Sequence, residues 1–181
     1  MTPAYVVLLF IIYSFIGWIL EVLCSLHLKH RFINRGFLYA PLCPIYGAGG
    51  ILAVTLLEPF SGNLVQLAVF GMIYSTALEY ATSWGMEKLF HKRWWYYSKS
   101  KFNVNGRVCL LNTIVFGLFA VFIVRVFQPL VVSFLSHVPV KFHDVLALSL
   151  LGFVIIDAGL TITRLLTAEK KGNPSTQRDV S

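Results

Sequence analysis

Apolar residues fill five long blocks of this chain, about 4–26, 37–57, 64–90, 108–135 and 145–166, separated by short polar stretches. Each block reaches the roughly 20 residues that an α-helix needs to cross hydrocarbon. Inside the blocks, small and polar residues recur every three or four positions, which is the helical period. Ser14, Gly17, Glu21 and Cys24 share a face of the first block, and Gly71, Ser75, Glu79, Ser83 and Glu87 share a face of the third. Asn112, Thr113, Gly117 and Ala120 offer a packing face in the fourth, and Asp157, Thr161 and Arg164 one in the fifth. Small residues let helix backbones approach, so these faces are expected to point at other helices. The pattern predicts an all-α, polytopic transmembrane helix bundle of about five spans. It forms one transmembrane domain over 1–169, followed by a disordered cytoplasmic tail over 170–181 that has no apolar periodicity.

The second block is interrupted. Pro41 and Pro44 remove backbone donors, and Gly36, Gly47, Gly49 and Gly50 permit irregular backbone or close approach. A broken start to the second helix is expected. Irregular backbone at membrane depth survives only against protein or a water-filled cavity, so this segment belongs inside the bundle.

Composition sharpens the class. Of 181 residues, 57% are hydrophobic and 13% charged, against about 25% charged in an ordinary soluble domain. The opening block has no basic residue before Lys29 and is expected to be a retained span rather than a cleaved signal. The net charge of +7 is concentrated beside the spans, in Lys29, Arg31 and Arg35, then Lys88, Lys92, Arg93, Lys99, Lys101 and Arg107, then the chain's end. The intervening connections hold only Lys141. This alternation predicts the N-terminus outside and the C-terminus in the cytoplasm, with anionic lipid headgroups rather than nucleic acid as the partner of the bases. Cys24, Cys43 and Cys109 form no CxxC and no Cys/His set at metal spacing, so neither a metal site, a cofactor nor a disulfide framework is expected.

Candidate chemistry lies in the acids. At 1.5 Å per residue, Glu21 falls roughly 25 Å into the first helix and Glu79 roughly 22 Å into the third, near the cytoplasmic boundary, with Glu87 further on. Ionisable residues inside spans commonly mark substrate or ion paths. The expected inward-facing polar pocket comprises Glu21, Asn34, Arg35, Glu79, Glu87, Asn103, Asn105 and Arg107. In the loop HKRWWYYSKSKFNVNGR, Trp94, Trp95 and Tyr97 suit the interfacial layer. Asn103, Asn105 and Gly106 predict tight turns before the fourth helix, whose N-terminus beside Arg107 could hold an anion. No catalytic residue is assigned, because no GxxxxGK[ST], HExxH or GxSxG motif is present.

The strings GWILE (17–21), NRGFLYAPLCPIYGAGG (34–50), EY and MEKLFHKRWW (79–95) and YS with FNVNGR (97–107) resemble the small bacterial membrane proteins of the ABC-transporter type IV permease family, component B. The resemblance covers about the first two thirds of the chain. It departs from the family's pattern at Ala40 in place of Gly, Tyr96 in place of Asp and Phe116 in place of Trp. It implies a permease-like transporter component of the bacterial cytoplasmic membrane that works with a separate ATP-binding subunit. Five helices are few for a permease, so a homo-oligomer is expected. Two other readings stay open at this point: a membrane-embedded enzyme acting on a lipid or lipid-linked substrate, and a non-catalytic accessory or scaffold protein whose acids and arginines neutralise one another.

Overall fold

The computed structural model describes residues 2–30 and 36–170. Its helices are α1 (Pro3–Lys29), α2 (Pro44–Leu56), α3 (Leu64–Phe90), α4 (Leu110–Phe122), α5 (Gln128–Ser136) and α6 (Val140–Lys170). A short antiparallel hairpin, β1 (Asn103–Val104) with β2 (Val108–Cys109), lies between α3 and α4. Among the described residues, four stretches are long and apolar enough to cross a membrane: Pro3–His27, Leu64–Phe90, Leu110–Ser136 and Val140–Thr167. The chain is a multi-pass, all-α membrane protein.

Local chemistry sets the helix ends. Thr2 Oγ1 accepts the Tyr5 N–H at 3.3 Å and Pro3 opens α1, where a missing N–H costs nothing. Asn63 Oδ1 accepts the N–H groups of Val65 and Gln66 to start α3. Helices α1 and α3 stop at His30 and His91, both in the left-handed conformation.

The second apolar block departs from its expected extent of 37–57. Only Pro44–Leu56 is helical, about 20 Å of rise, which is short of a roughly 30 Å hydrocarbon core. Pro41 and Pro44 account for the loss, since neither can donate to a helical ladder.

The fourth block, by contrast, runs through Pro129. Ile123–Phe127 adopts a π-turn between α4 and α5. That wider turn accommodates the carbonyl that Pro129 would otherwise strike, so the chain continues as helix to Ser136.

The described residues form two compact units, one of 2–30, 36–51 and 134–170, the other Leu52–Ser133. In the first, residues 36–43 run alongside α1 and α6. Leu38, Ala40 and Leu42 are buried against Ile11, Val154 and Ala158, and Cys43 N–H donates to the Ser14 carbonyl at 2.9 Å. The non-helical backbone finds partners on α6, where the Asp157 carboxylate accepts the N–H groups of Tyr39 (3.1 Å) and Ala40 (2.8 Å). Arg164 Nη1 donates to the Tyr39 hydroxyl at 3.0 Å. Two donors that proline chemistry released from a helix, one buried and one part-buried, are thereby satisfied by one carboxyl group. Gly17 lets Tyr46 of α2 lie against α1, where any Cβ would meet the ring at 2.2 Å.

In the second unit, α3 and α4 pack through glycines. A Cβ at Gly71 would meet Ala120 Cβ at 2.6 Å, and one at Gly117 would meet Met72 Cγ at 2.4 Å. Thr76 and Thr113 share a hydroxyl hydrogen bond of 2.8 Å. Ala53, Leu57, Leu67 and Ala120 form the core, with Phe60 and Tyr74 against it.

Candidate functional site

The four-residue repeat of α3 produces a protein-facing side. Its buried residues are Leu67, Gly71, Glu79 and Ser83, so an acid only 5% exposed lies in line with the glycine contact. The pairings of Gly71 with Ala120 and Thr76 with Thr113 fix an antiparallel register in which α4 begins about level with Glu79. The remaining 16 Å or so of α3, to Phe90, lies beyond the start of α4. Residues 91–109 cover it instead.

That cover is shaped by its turn residues. Asn105 and Gly106 have φ of 53° and 67°, and Arg107 N–H closes the turn on the Val104 carbonyl at 3.0 Å. Two successive positive φ values favour Asn-Gly over other pairs. Gly106 is further required because a Cβ there would meet Tyr96 Cε2 at 2.9 Å. The Asn103 side chain braces the loop: its Nδ2 donates to Ser100 O at 2.8 Å and its Oδ1 accepts Gly106 N–H at 3.0 Å. Tyr97 N–H donates to Gly106 O at 2.8 Å, and Leu110 N–H, at the start of α4, to Phe102 O at 3.1 Å.

So folded, the segment places its polar side chains along α3. The Tyr97 hydroxyl donates to Glu79 Oε1 at 3.1 Å. Arg107, 8% exposed, donates to Ser83 Oγ at 3.2 Å and to Glu87 Oε2, with its guanidinium 5.7 Å from the Tyr80 ring centre. Arg93 Nε takes the other Glu87 oxygen at 2.9 Å, and its Nη1 donates to Asn105 O at 3.0 Å. Asn105 Nδ2 donates to the Tyr80 hydroxyl at 2.9 Å. Trp95 Nε1 donates to Arg107 O at 2.9 Å.

Glu87 thus serves two guanidinium groups, one on each oxygen. Its carboxylate, hydrogen-bonded to Arg93, raises that guanidinium above its already high ordinary pKa, so Arg93 keeps its charge. A buried arginine needs such a partner, because the desolvated charge is otherwise costly. Glu79 stands deeper on the same helix face and holds the phenol. The arrangement can present a carboxylate, a phenol and a guanidinium to a polar group. Within these residues it offers no nucleophile activated by a base.

Of the expected site residues, the structure brings together Glu79, Glu87, Asn103, Asn105 and Arg107, with Trp95 and Tyr97 turned onto the same cluster. Trp94 lies at its edge, packed against Phe90 with ring centres 5.7 Å apart. Glu21 belongs to the first unit, where its Oε1 accepts the Tyr46 hydroxyl at 2.7 Å. Asn34 and Arg35 lie outside the described residues, as does the tail from 171 onward. Arg107 is directed onto α3 rather than toward the N-terminus of α4, where an anion was the expected ligand.

Several participants were not assigned to the site from the sequence. Ser83 stood in the α3 repeat, but a serine gives no sign of a guanidinium partner. Tyr80, Arg93 and Tyr46 carried no distinguishing spacing. Asp157 and Arg164 were visible as one face of the last helix, and what hid their role was that the partner is backbone. Tyr96, where the resemblance implied an acid, is exposed with its ring centre 5.4 Å from the Arg93 guanidinium. A cation–π contact therefore stands where an ion pair would be expected.

The family model described as "Putative ABC-transporter type IV" matches residues 8–162, which extends the likeness from the first two thirds of the chain into α6. No curated protein matches the chain, and no solved structure does.

Proposed function

The chain belongs to the family described as "Putative ABC-transporter type IV", and on that premise we propose that it is the permease-like membrane component of an ABC transporter in the bacterial cytoplasmic membrane. In this reading α2 and the non-helical 36–43 form one broken span. The chain then crosses five times, with its N-terminus outside and its C-terminus in the cytoplasm, as the lysine and arginine distribution requires. The C-terminal end of α3 and the 91–109 segment face the cytoplasm, and Glu79, Tyr97 and Arg107 line an inward-facing polar pocket. Lys99 and Lys101 meet anionic headgroups.

The observation that carries this reading is the burial of Glu79 on the protein-facing side of a membrane helix, beneath a polar segment that folds back to reach it. Ionisable groups so placed are characteristic of substrate and ion paths. The chain contains no phosphate-binding GxxxxGK[ST] loop, so energy comes from a separate ATP-binding subunit, and a homo-oligomer supplies the helices that one copy lacks.

A second reading, a scaffold in which charges neutralise one another, is favoured by the double engagement of Glu87 with Arg93 and Arg107. Glu79, whose Oε1 accepts the Tyr97 hydroxyl, is the residue whose substitution separates the two readings. The complex isolated from its native membrane is expected to hydrolyse ATP in a vanadate-sensitive manner. Glu79→Gln is expected to retain assembly and melting temperature while losing at least tenfold of any transport-coupled hydrolysis. Isolation of this chain without any ATP-hydrolysing subunit, or loss of folding in parallel with activity in Glu79→Gln, would overturn the transport reading.

A further inference from the structure

The second unit's plan occurs once more in the chain. Both α1 and α3 contain 27 residues, and both end at a histidine in the left-handed conformation. The helix that follows each is preceded by a non-helical stretch, 36–43 or 91–109, that ends on a buried cysteine, Cys43 or Cys109. In each case a helix begins at the next position, α2 over Pro44–Leu56 or the helix that starts as α4 and continues to Ser136. That following helix meets the long one about halfway along it rather than at its end. Cys43 N–H bonds to Ser14 O and Thr113 bonds to Thr76; in the second copy residues 91–109 then cover the C-terminal part of α3, while in the first 36–43 pack on Ile11 of α1 and on α6. Glycine makes the approach possible on both sides: Gly17 and Gly47 between α1 and α2, Gly71 and Gly117 between α3 and α4.

The chemistry recurs with the architecture. Helix α1 reads Leu20-Glu21-Val22-Leu23-Cys24-Ser25, and α3 reads Leu78-Glu79-Tyr80-Ala81-Thr82-Ser83. In both, a glutamate is followed one helical turn later by a buried serine, Ser25 at 0% and Ser83 at 4% exposure. Each glutamate accepts a tyrosine hydroxyl from the chain after its helix, Tyr46 to Glu21 at 2.7 Å and Tyr97 to Glu79 at 3.1 Å. The copies differ in how the non-helical backbone is satisfied. In the second it pairs with itself as the β1–β2 hairpin. In the first, Tyr39 and Ala40 draw on Asp157 of α6. They also differ in where the tyrosine stands, on the following helix in the first and before it in the second.

We propose that the chain is a tandem repeat of one unit, comprising a long helix, a non-helical stretch and a helix that starts at mid-depth. Glu21 with Tyr46 is then a second copy of the Glu79–Tyr97 site, opening to the same face of the membrane. Two such units in one chain give a parallel internal repeat, one of the plans on which membrane transporters are built. The second site takes the same class of polar group as the first. The repeat itself does not depend on the transport reading and can fail or stand without it.

The test uses full-length protein in lipid nanodiscs with 3-fluorotyrosine placed at position 46 or 97. Glu21→Gln is expected to shift only the position-46 fluorine resonance, Glu79→Gln only the position-97 resonance, and both in the same direction. If either glutamine variant does not fold, aspartate at that position withdraws the acceptor by one methylene and gives the same readout. In sealed vesicles of known orientation, His30→Cys and His91→Cys, made with the native cysteines replaced, are expected to react with an impermeant maleimide from one and the same face. Labelling from opposite faces, or a fluorine resonance indifferent to its paired glutamate, would overturn the proposal.

Discussion

Arg107 and Glu87 join the end of a β-turn to the last turn of α3 across a part-buried ion pair. Arg107 is the more deeply buried partner, while the Glu87 side chain is 33% exposed. The two lie twenty positions apart, and this link holds residues 91–109 against the helix. Loss of Glu87 is therefore expected to cost more than an exposed ion pair would. Glu87→Gln should lower the melting temperature of the purified protein, because Arg107 loses its charged partner. The double variant Glu87→Gln/Arg107→Gln should recover part of that loss. A double-mutant cycle from thermal unfolding in detergent measures the coupling, and a cycle with no coupling would dismiss the pair as a structural link. Arg107→Lys should not substitute, because one ammonium cannot reproduce the forked contact with Ser83 and Glu87.

Gly106 is expected to resist any side chain. Gly106→Ala meets Tyr96 and a φ of 67° together, and about 1 to 2 kcal/mol of destabilisation follows from the left-handed conformation and the contact. Combining it with Tyr96→Ala should remove the contact part of the loss and leave the conformational part. Thermal melts of the two variants separate these contributions.

Asp157→Ala leaves two backbone donors, Tyr39 and Ala40, without their acceptor in a buried setting. The expected cost is about 3 kcal/mol. Hydrogen–deuterium exchange should speed up at 36–43 before it does along α3. Uniform acceleration across the chain would show that Asp157 does not act locally.

The α3–α4 contact predicts a size limit. Gly71→Leu and Gly117→Leu should each destabilise by about 1 to 3 kcal/mol through overpacking. The lipid-exposed Val65→Leu should change the melting temperature by no more than the scatter between preparations. Equal tolerance at the three positions would contradict the register fixed by Thr76 and Thr113.

Tyr96→Asp tests the family difference. It exchanges the contact of Arg93 with an aromatic ring for an ion pair near the surface, where such pairs contribute roughly 0 to 1 kcal/mol. Stability is expected to move by no more than that, in either direction, in a salt-dependent way. A large, salt-independent loss would mean that the Tyr96 ring supports the Gly106 turn more than it engages Arg93.

The sequence by itself determined the helical class, the approximate extents of α1, α3 and α6, the protein-facing stripe from Gly71 to Ser83 and the turn at Asn105-Gly106. These are local properties. Apolar length, a four-residue period and the φ preference of Asn-Gly act through near neighbours, and each is written in consecutive residues. The interruption at Pro41 and Pro44 was legible for the same reason, although how little of that block remains helical was not. Only the tertiary structure decided which groups meet. Glu79 takes a phenol and Glu87 two guanidinium groups, and the same helix face carried both acids with nothing local to distinguish them. The partner of Asp157 is peptide N–H, which every residue but proline carries and no sequence pattern marks. Pairings between residues far apart in the chain depend on where the non-helical segments turn back, and that is set by the whole packed unit rather than by the residues that finally touch.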